Sequence, residues 1–124
     1  MILRTGVDLI EIDRVEEVVR RHGSRYLDRI YTPAEQSQSR QNTQFLAGRF
    51  AAKEAVAKAL GTGIGDVGWL DIEILGDEQN APLLNLVGAA KKRAGELGLE
   101  NWSVSISHSM THAVAFAVAI GGEP

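Results

Sequence analysis

Three sets of residues in this 124-residue chain are chemically out of place for the elements that carry them. Asp8 lies in the apolar, β-branched run GVDLIEI, part of a strand read over residues 2–12, and aspartate is depleted in strands. It shares a strand face with Ile10 and Ile12, so its carboxylate needs an arginine, a lysine or a metal ion beside it. The second set lies in TQFLAGRFAAKEAVAKAL at 43–60, the strongest helical segment. On a helical wheel Arg49 and Lys53 fall inside the arc of Leu46, Phe50, Val56, Ala57 and Leu60, while Glu54 and Lys58 lie at its edge, one turn apart. Cations aimed at a core are costly unless neutralised. Snorkelling stems or an i,i+4 Glu54–Lys58 pair account for one such residue; four clustered charges fit a bound polyanion equally well. If Asp8 and Glu54 approach each other, a divalent cation relieves their repulsion. Two carboxylates with waters and phosphate oxygens is how Mg²⁺ is usually held.

His108 is the third. In WSVSISHS, Trp102, Val104, Ile106 and His108 share one strand face and the serines share the other, so Ser107 and His108 point apart and form no dyad. No GxSxG elbow exists either. A hydrogen-bonded structural histidine is the ordinary reading of such a strand-end residue, and His22 and His112 read as surface or turn residues. The run GTGIG at 61–65 follows a helix instead of preceding one, so it reads as a C-cap and connection, not as a phosphate cradle.

Charge is unevenly spread. Residues 1–58 hold 10 Lys plus Arg against 8 Asp plus Glu, and residues 59–124 hold 3 against 8. Arg14, Arg20, Arg21, Arg25 and Arg29 could meet an anionic partner, or could form a solvated helix face with Glu16–Arg20 and Glu17–Arg21 pairs. Nucleic acid fits poorly, because the pI is near 5.6 and aromatics are 6% of the chain. The absence of cysteine excludes a disulfide framework, a thiolate metal site and a cysteine nucleophile. The longest apolar run, Ala113 to Ile120, is far short of the roughly 20 residues that cross a bilayer, and no signal peptide is apparent. The expectation is a soluble cytoplasmic protein with no membrane or nucleic-acid partner.

These residues need a scaffold. After the first strand, Asp13 reads as the N-cap of a helix over 14–22 ended by Gly23, and a short helix follows at 24–30. Thr32-Pro33-Ala34-Glu35 is a capping box with Pro at N1, opening a polar helical turn, and Ser37 to Gln44 reads as loop. Strands are predicted at 69–75, with Leu70, Ile72 and Ile74 on one face, and at 83–87, then a helix from Gly88 to Leu97. Two last strands, 102–109 and 112–120, form a hairpin. The final one is apolar on both faces, so it belongs mid-sheet or against another subunit. The fold class is α+β: one domain over 1–124, with a largely antiparallel sheet packed against one long helix and shorter helices.

The motifs GVDLIEIDRV (6–15), FLAGRFAAKEAVAKALGTGIG (45–65) and VSISHSMTHAVAFAV (104–118) together resemble the holo-acyl-carrier-protein synthases, the short type of 4'-phosphopantetheinyl transferase. The resemblance implies transfer of 4'-phosphopantetheine from coenzyme A to a serine of apo acyl carrier protein, leaving adenosine 3',5'-bisphosphate, in fatty acid biosynthesis. It implies Mg²⁺ on Asp8 and Glu54, with Lys58 at the phosphates. Glu54, directly or through a water, is then the best-placed general base. Arg49, Lys53 and His108 would help hold coenzyme A, and Arg14, Arg20 and Arg21 would face the carrier protein. A homotrimer with active sites between subunits is also implied. One departure is visible: Ser37 to Gln44 carries only Arg40 as a basic residue where relatives often carry more. Two rival readings are a nucleotide-binding module without turnover and a structural oligomer whose charged helix face is an ion-pair network.

Overall fold

The structure, a computed structural model, describes residues 1–122. Strand β1 (Ile2–Glu11) leads into helices α1 (Ile12–His22), α2 (Ser24–Ile30), α3 (Pro33–Ser39) and α4 (Thr43–Ala59). A 3₁₀ turn (Trp69–Asp71), strands β2 (Ile72–Gly76) and β3 (Pro82–Leu86), helix α5 (Gly88–Glu96) and the hairpin β4 (Leu99–His108) and β5 (His112–Gly121) complete the chain. The class is α+β as expected, but the strands form two antiparallel sheets, β1-β5-β4 and the separate hairpin β2-β3.

Strand β5 takes the centre of the larger sheet, the place its two-sided apolar pattern requires. Its alanines 113, 115, 117 and 119 face α4 and are fully or almost fully buried. They meet a helix face that is small in turn, with Ala51, Ala52, Ala55 and Ala59 at 0% exposure. At the closest crossing a Cβ on Gly6 would run into the Ala55 carbonyl oxygen, so only glycine lets β1 approach the helix there. Behind this contact Val56, Leu60, Ile72 and Ile74 are sealed from solvent, each stabilising the fold by about 1.5–3 kcal/mol before entropy is counted. The C-terminal carbonyls of α4 are met by arginines: Arg4 Nε donates to Ala59 O at 2.9 Å and Arg93 Nε to Leu60 O at 3.1 Å. Those cations also complement the negative end of the helix dipole.

Several boundaries differ from the sequence reading. Helix α1 opens at Ile12, capped by Glu11 and not by Asp13, because Ile12 N donates to Thr111 O at 2.9 Å and tertiary pairing replaces a side-chain cap. The Thr32 capping box forms with Pro33 at N1, but it supports a helix through Ser39, so residues 37–39 are helical where a loop was predicted. Residues 40–42 turn the chain, with Arg40 and Gln41 at positive φ (48° and 61°), and Asn42 caps α4. Residues 69–71 are not strand: Asp71 accepts from Gly68 N at 3.0 Å and winds the segment into a turn, leaving Leu70 exposed.

The sheet face turned away from α4 is uncovered. Leu3 (59% exposed), Val7 (53%), Leu9 (65%) and Phe116 (44%) line it on β1 and β5, a broad apolar surface that none of the described residues covers.

Candidate active site

Strand β1 and helix α4 cross so that Asp8, Glu54 and Lys58 open into one cleft of about 440 Å³. Helix α1 adds Arg14, Val15 and Val18, and Tyr26 and Phe50 complete an apolar wall. Lys58 Nζ donates to the Val7 carbonyl at 2.9 Å and lies 3.3 Å from Asp8 Oδ1. Glu54 is held above the usual carboxylate range, first by burial and then by the negative charge of Asp8, with Lys58 pulling the other way. Two carboxylates facing one cleft are a ready cation site. Their donor set is hard oxygen alone, with no histidine in the cleft, which fits Mg²⁺ and not Zn²⁺. Among the described residues no cluster of three or more such ligands occurs, so the remaining positions would fall to waters and phosphate oxygens.

Arg49 and His108 lie elsewhere. They line a second cleft, about 540 Å³, between the end of α3, the start of α4, the β2–β3 turn and the end of β4. Arg40, Asn42, Asn80 and Pro82 share it, and no residue lines both clefts. Arg49 donates from Nε to Ile74 O at 3.1 Å and its guanidinium sits 4.0 Å from the Phe45 ring centroid. Burial lowers its pKa while Glu35 raises it. The arginine stays charged, because guanidinium does not deprotonate in proteins.

Lys53 reaches neither cleft, and here the expected contact with coenzyme A is corrected. Its side chain is fully buried, and the ammonium is taken up by Glu35 Oε1 at 2.7 Å, Ile72 O at 2.6 Å and Trp69 O at 2.9 Å. Three acceptors use its three protons, so nothing remains for a ligand. Arg20 and Arg21 are exposed on α1, with Arg21 Nε 3.6 Å from Glu17 Oε1. Beside them Arg25, Arg29 and His22 edge a third cavity that shares Val18 and Tyr26 with the Asp8–Glu54 cleft. The arginine-rich surface and the carboxylate cleft therefore adjoin.

Two features went unread in the sequence. Glu35 is fully buried and binds two partners besides its own helix cap, the Lys53 ammonium and the Ile74 amide, a role hidden because its capping box already accounts for a glutamate there. Tyr31 donates to Leu46 O at 2.8 Å and its hydroxyl lies 2.9 Å from that of Tyr26; the donor it has already committed makes Tyr26 the donor of this second bond.

Residues 4–117 match the model of the 4'-phosphopantetheinyl transferase superfamily. The chain is 52% identical to the holo-[acyl-carrier-protein] synthase of Herpetosiphon aurantiacus, covering 96% of this chain and 99% of that one. It is 46% identical to the one from Natranaerobius thermophilus, over 95% and 97%. The crystal structure of the Helicobacter pylori holo-[acyl-carrier-protein] synthase in complex with coenzyme A superposes with a TM-score of 0.86 at 36% identity, over 94% of this chain and 99% of that one. The chain belongs to the 4'-phosphopantetheinyl transferase superfamily and, within it, to the holo-[acyl-carrier-protein] synthases.

Proposed function

We infer that the chain moves the 4'-phosphopantetheine arm of coenzyme A onto a serine hydroxyl of apo acyl carrier protein and releases adenosine 3',5'-bisphosphate, a step that serves fatty acid biosynthesis. The observation that carries this reading is the meeting of Asp8, Glu54 and Lys58 in one cleft beside an arginine-lined surface. The serine oxygen forms a bond to the phosphorus that bears the pantetheine arm. The bond from that phosphorus to the bridging oxygen breaks, and the pair of electrons leaves with the nucleotide. Such a transfer needs positioning and charge stabilisation and no covalent protein intermediate, which suits a chain without cysteine. Asp8 and Glu54 would hold Mg²⁺, whose charge would offset that of the pyrophosphate. Lys58, half exposed at the same cleft, adds a second positive charge toward the phosphates. Glu54, with its raised pKa, accepts the serine proton directly or through a water.

Arg49, His108 and Arg40 supply the nucleotide end of coenzyme A with cationic and hydrogen-bonding groups in the second cleft. Arg14, at the mouth of the carboxylate cleft, with Arg20 and Arg21 on the same helix, faces the acidic carrier protein. The full chain acts as one domain. Because the two clefts share no wall, a single ligand bridges them most simply when a second copy brings its cleft alongside. The uncovered apolar face of β1 and β5 offers the contact for such a homotrimer with active sites between subunits.

The test is incubation of apo carrier protein with coenzyme A and Mg²⁺, followed by mass spectrometry. Addition of one phosphopantetheine by the parent protein and none by Glu54→Gln is expected. Binding of coenzyme A without modification of the carrier would favour a nucleotide-binding module instead.

A further inference from the structure

The outer edge of β2 is closed by side chains instead of by a strand. Ile72, Ile74 and Gly76 turn their backbone groups away from β3, and α3 and α4 meet them. Lys53 donates to Ile72 O at 2.6 Å and Arg49 to Ile74 O at 3.1 Å, while Glu35 Oε2 accepts from Ile74 N at 2.8 Å. Gln38 takes both groups of Gly76, accepting from N at 2.8 Å and donating to O at 3.1 Å. Covering an edge guards against unwanted strand pairing, but polar uncharged groups would do that as well. A buried ion pair is weak evidence of stability, since an apolar pair of similar volume is often as stable. The Glu35–Lys53 pair therefore calls for an account based on geometry.

Glu35 stands where three walls of the second cleft join. Helix α3 ends in Arg40, α4 carries Arg49, and the β2–β3 turn carries Asn80 and Pro82. The carboxylate binds Lys53 of α4 through Oε1 and the Ile74 amide of β2 through Oε2, and the carbonyl of that same Ile74 orients the Arg49 guanidinium. We propose that Glu35 is a positioning residue for coenzyme A: by holding α3, α4 and β2 in one register, it aims Arg49 into the nucleotide cleft. The proposal rests on the assignment of that cleft to the nucleotide end of coenzyme A. Glu35 is fully buried and lines neither cleft, so it acts on the ligand only through Ile74 and Arg49.

The test uses two variants of the full chain. Glu35→Gln removes the charge but strands the Lys53 ammonium; Glu35→Gln with Lys53→Met removes both charges and keeps the fold testable. Each is titrated calorimetrically with adenosine 3',5'-bisphosphate and assayed for KM and kcat. The double variant is expected to melt cooperatively, with Kd for the nucleotide and KM for coenzyme A raised about tenfold, and with kcat and the carrier-protein KM within about twofold of the parent. Unchanged nucleotide affinity in the folded double variant would overturn the proposal. So would a parallel rise in both KM values, or a double variant that fails to fold, which would make the pair a stability element. A parent protein that binds no adenosine 3',5'-bisphosphate would sink the cleft assignment itself, whereas parent binding with an unaffected variant sinks only the role of Glu35.

Discussion

Lys58 Nζ sits 3.3 Å from Asp8 Oδ1, one helical turn beyond Glu54, so one ammonium serves a cleft that holds two carboxylates. A divalent cation held by Asp8 and Glu54 would take over the neutralisation of Asp8, leaving Lys58 free to turn toward phosphate. Removing it by Lys58→Ala is expected to lower the transfer rate about 10²–10³-fold, the usual loss for one group that stabilises developing charge. The side chain is half exposed, so stability should move by no more than about 0.5 kcal/mol. Single-turnover transfer and thermal melts of the same sample separate the two effects, and a normal rate would remove Lys58 from the chemistry.

Glu54 gives the cleft a pH signature. A carboxyl with a raised folded-state pKa binds its proton more tightly folded than unfolded, so stability falls as pH rises from the ordinary 4.5 through the raised value. Mg²⁺ should reverse that loss and release protons, because it binds the ionised form. Calorimetry in buffers of different ionisation enthalpy counts the protons. Binding without proton release at a pH near the raised value would contradict the assignment. The same group predicts transfer activity that declines on the acid side, with an apparent pKa above 4.5 in the limit of low metal.

Arg14 lines the carboxylate cleft from α1, where it can meet the carrier protein beside the reacting serine. Arg14→Glu should raise the carrier-protein KM by at least tenfold while the affinity for coenzyme A stays near that of the parent. Added salt should weaken the parent's carrier binding more than the variant's, since screening acts on the attractive pair. Loss of coenzyme A affinity in its place would move the surface elsewhere.

Phe116 is 44% exposed in the centre of the uncovered sheet face. If the proposed homotrimer packs on this face, a charge there, as in Phe116→Asp, is expected to leave monomers in analytical ultracentrifugation and to abolish transfer, with the helical signal in circular dichroism retained. An active monomer would show that one chain completes the site alone.

Lys53→Ala tests the interior pair. It leaves Glu35 charged, buried and short of its cation, which should cost about 3–5 kcal/mol. Chemical denaturation reads that loss directly, and a value below about 1 kcal/mol would mean that Glu35 is satisfied without the lysine.

The sequence by itself determined whatever depends on neighbours along the chain. The Thr32-Pro33-Glu35 cap, the alanine-rich α4, the glycine that ends α1 and the β4–β5 hairpin were all legible, because caps, periods and turns act within a few residues. The out-of-place charges were legible too, since burying Asp8, Arg49 or Lys53 is costly in any fold. Only the tertiary structure decided what each charge was for. Arg49 and Lys53 occupy the same arc of α4, yet one lines a cleft and the other is sealed inside, because β2 lies across the turn that carries Lys53. The second partner of Glu35 lies 39 residues away on β2, a distance that no local pattern spans. Separate lining of the two clefts likewise follows from which faces of α4 the two sheets cover. Periodicity names a helix face, and packing between remote elements decides whether that face meets solvent, ligand or core.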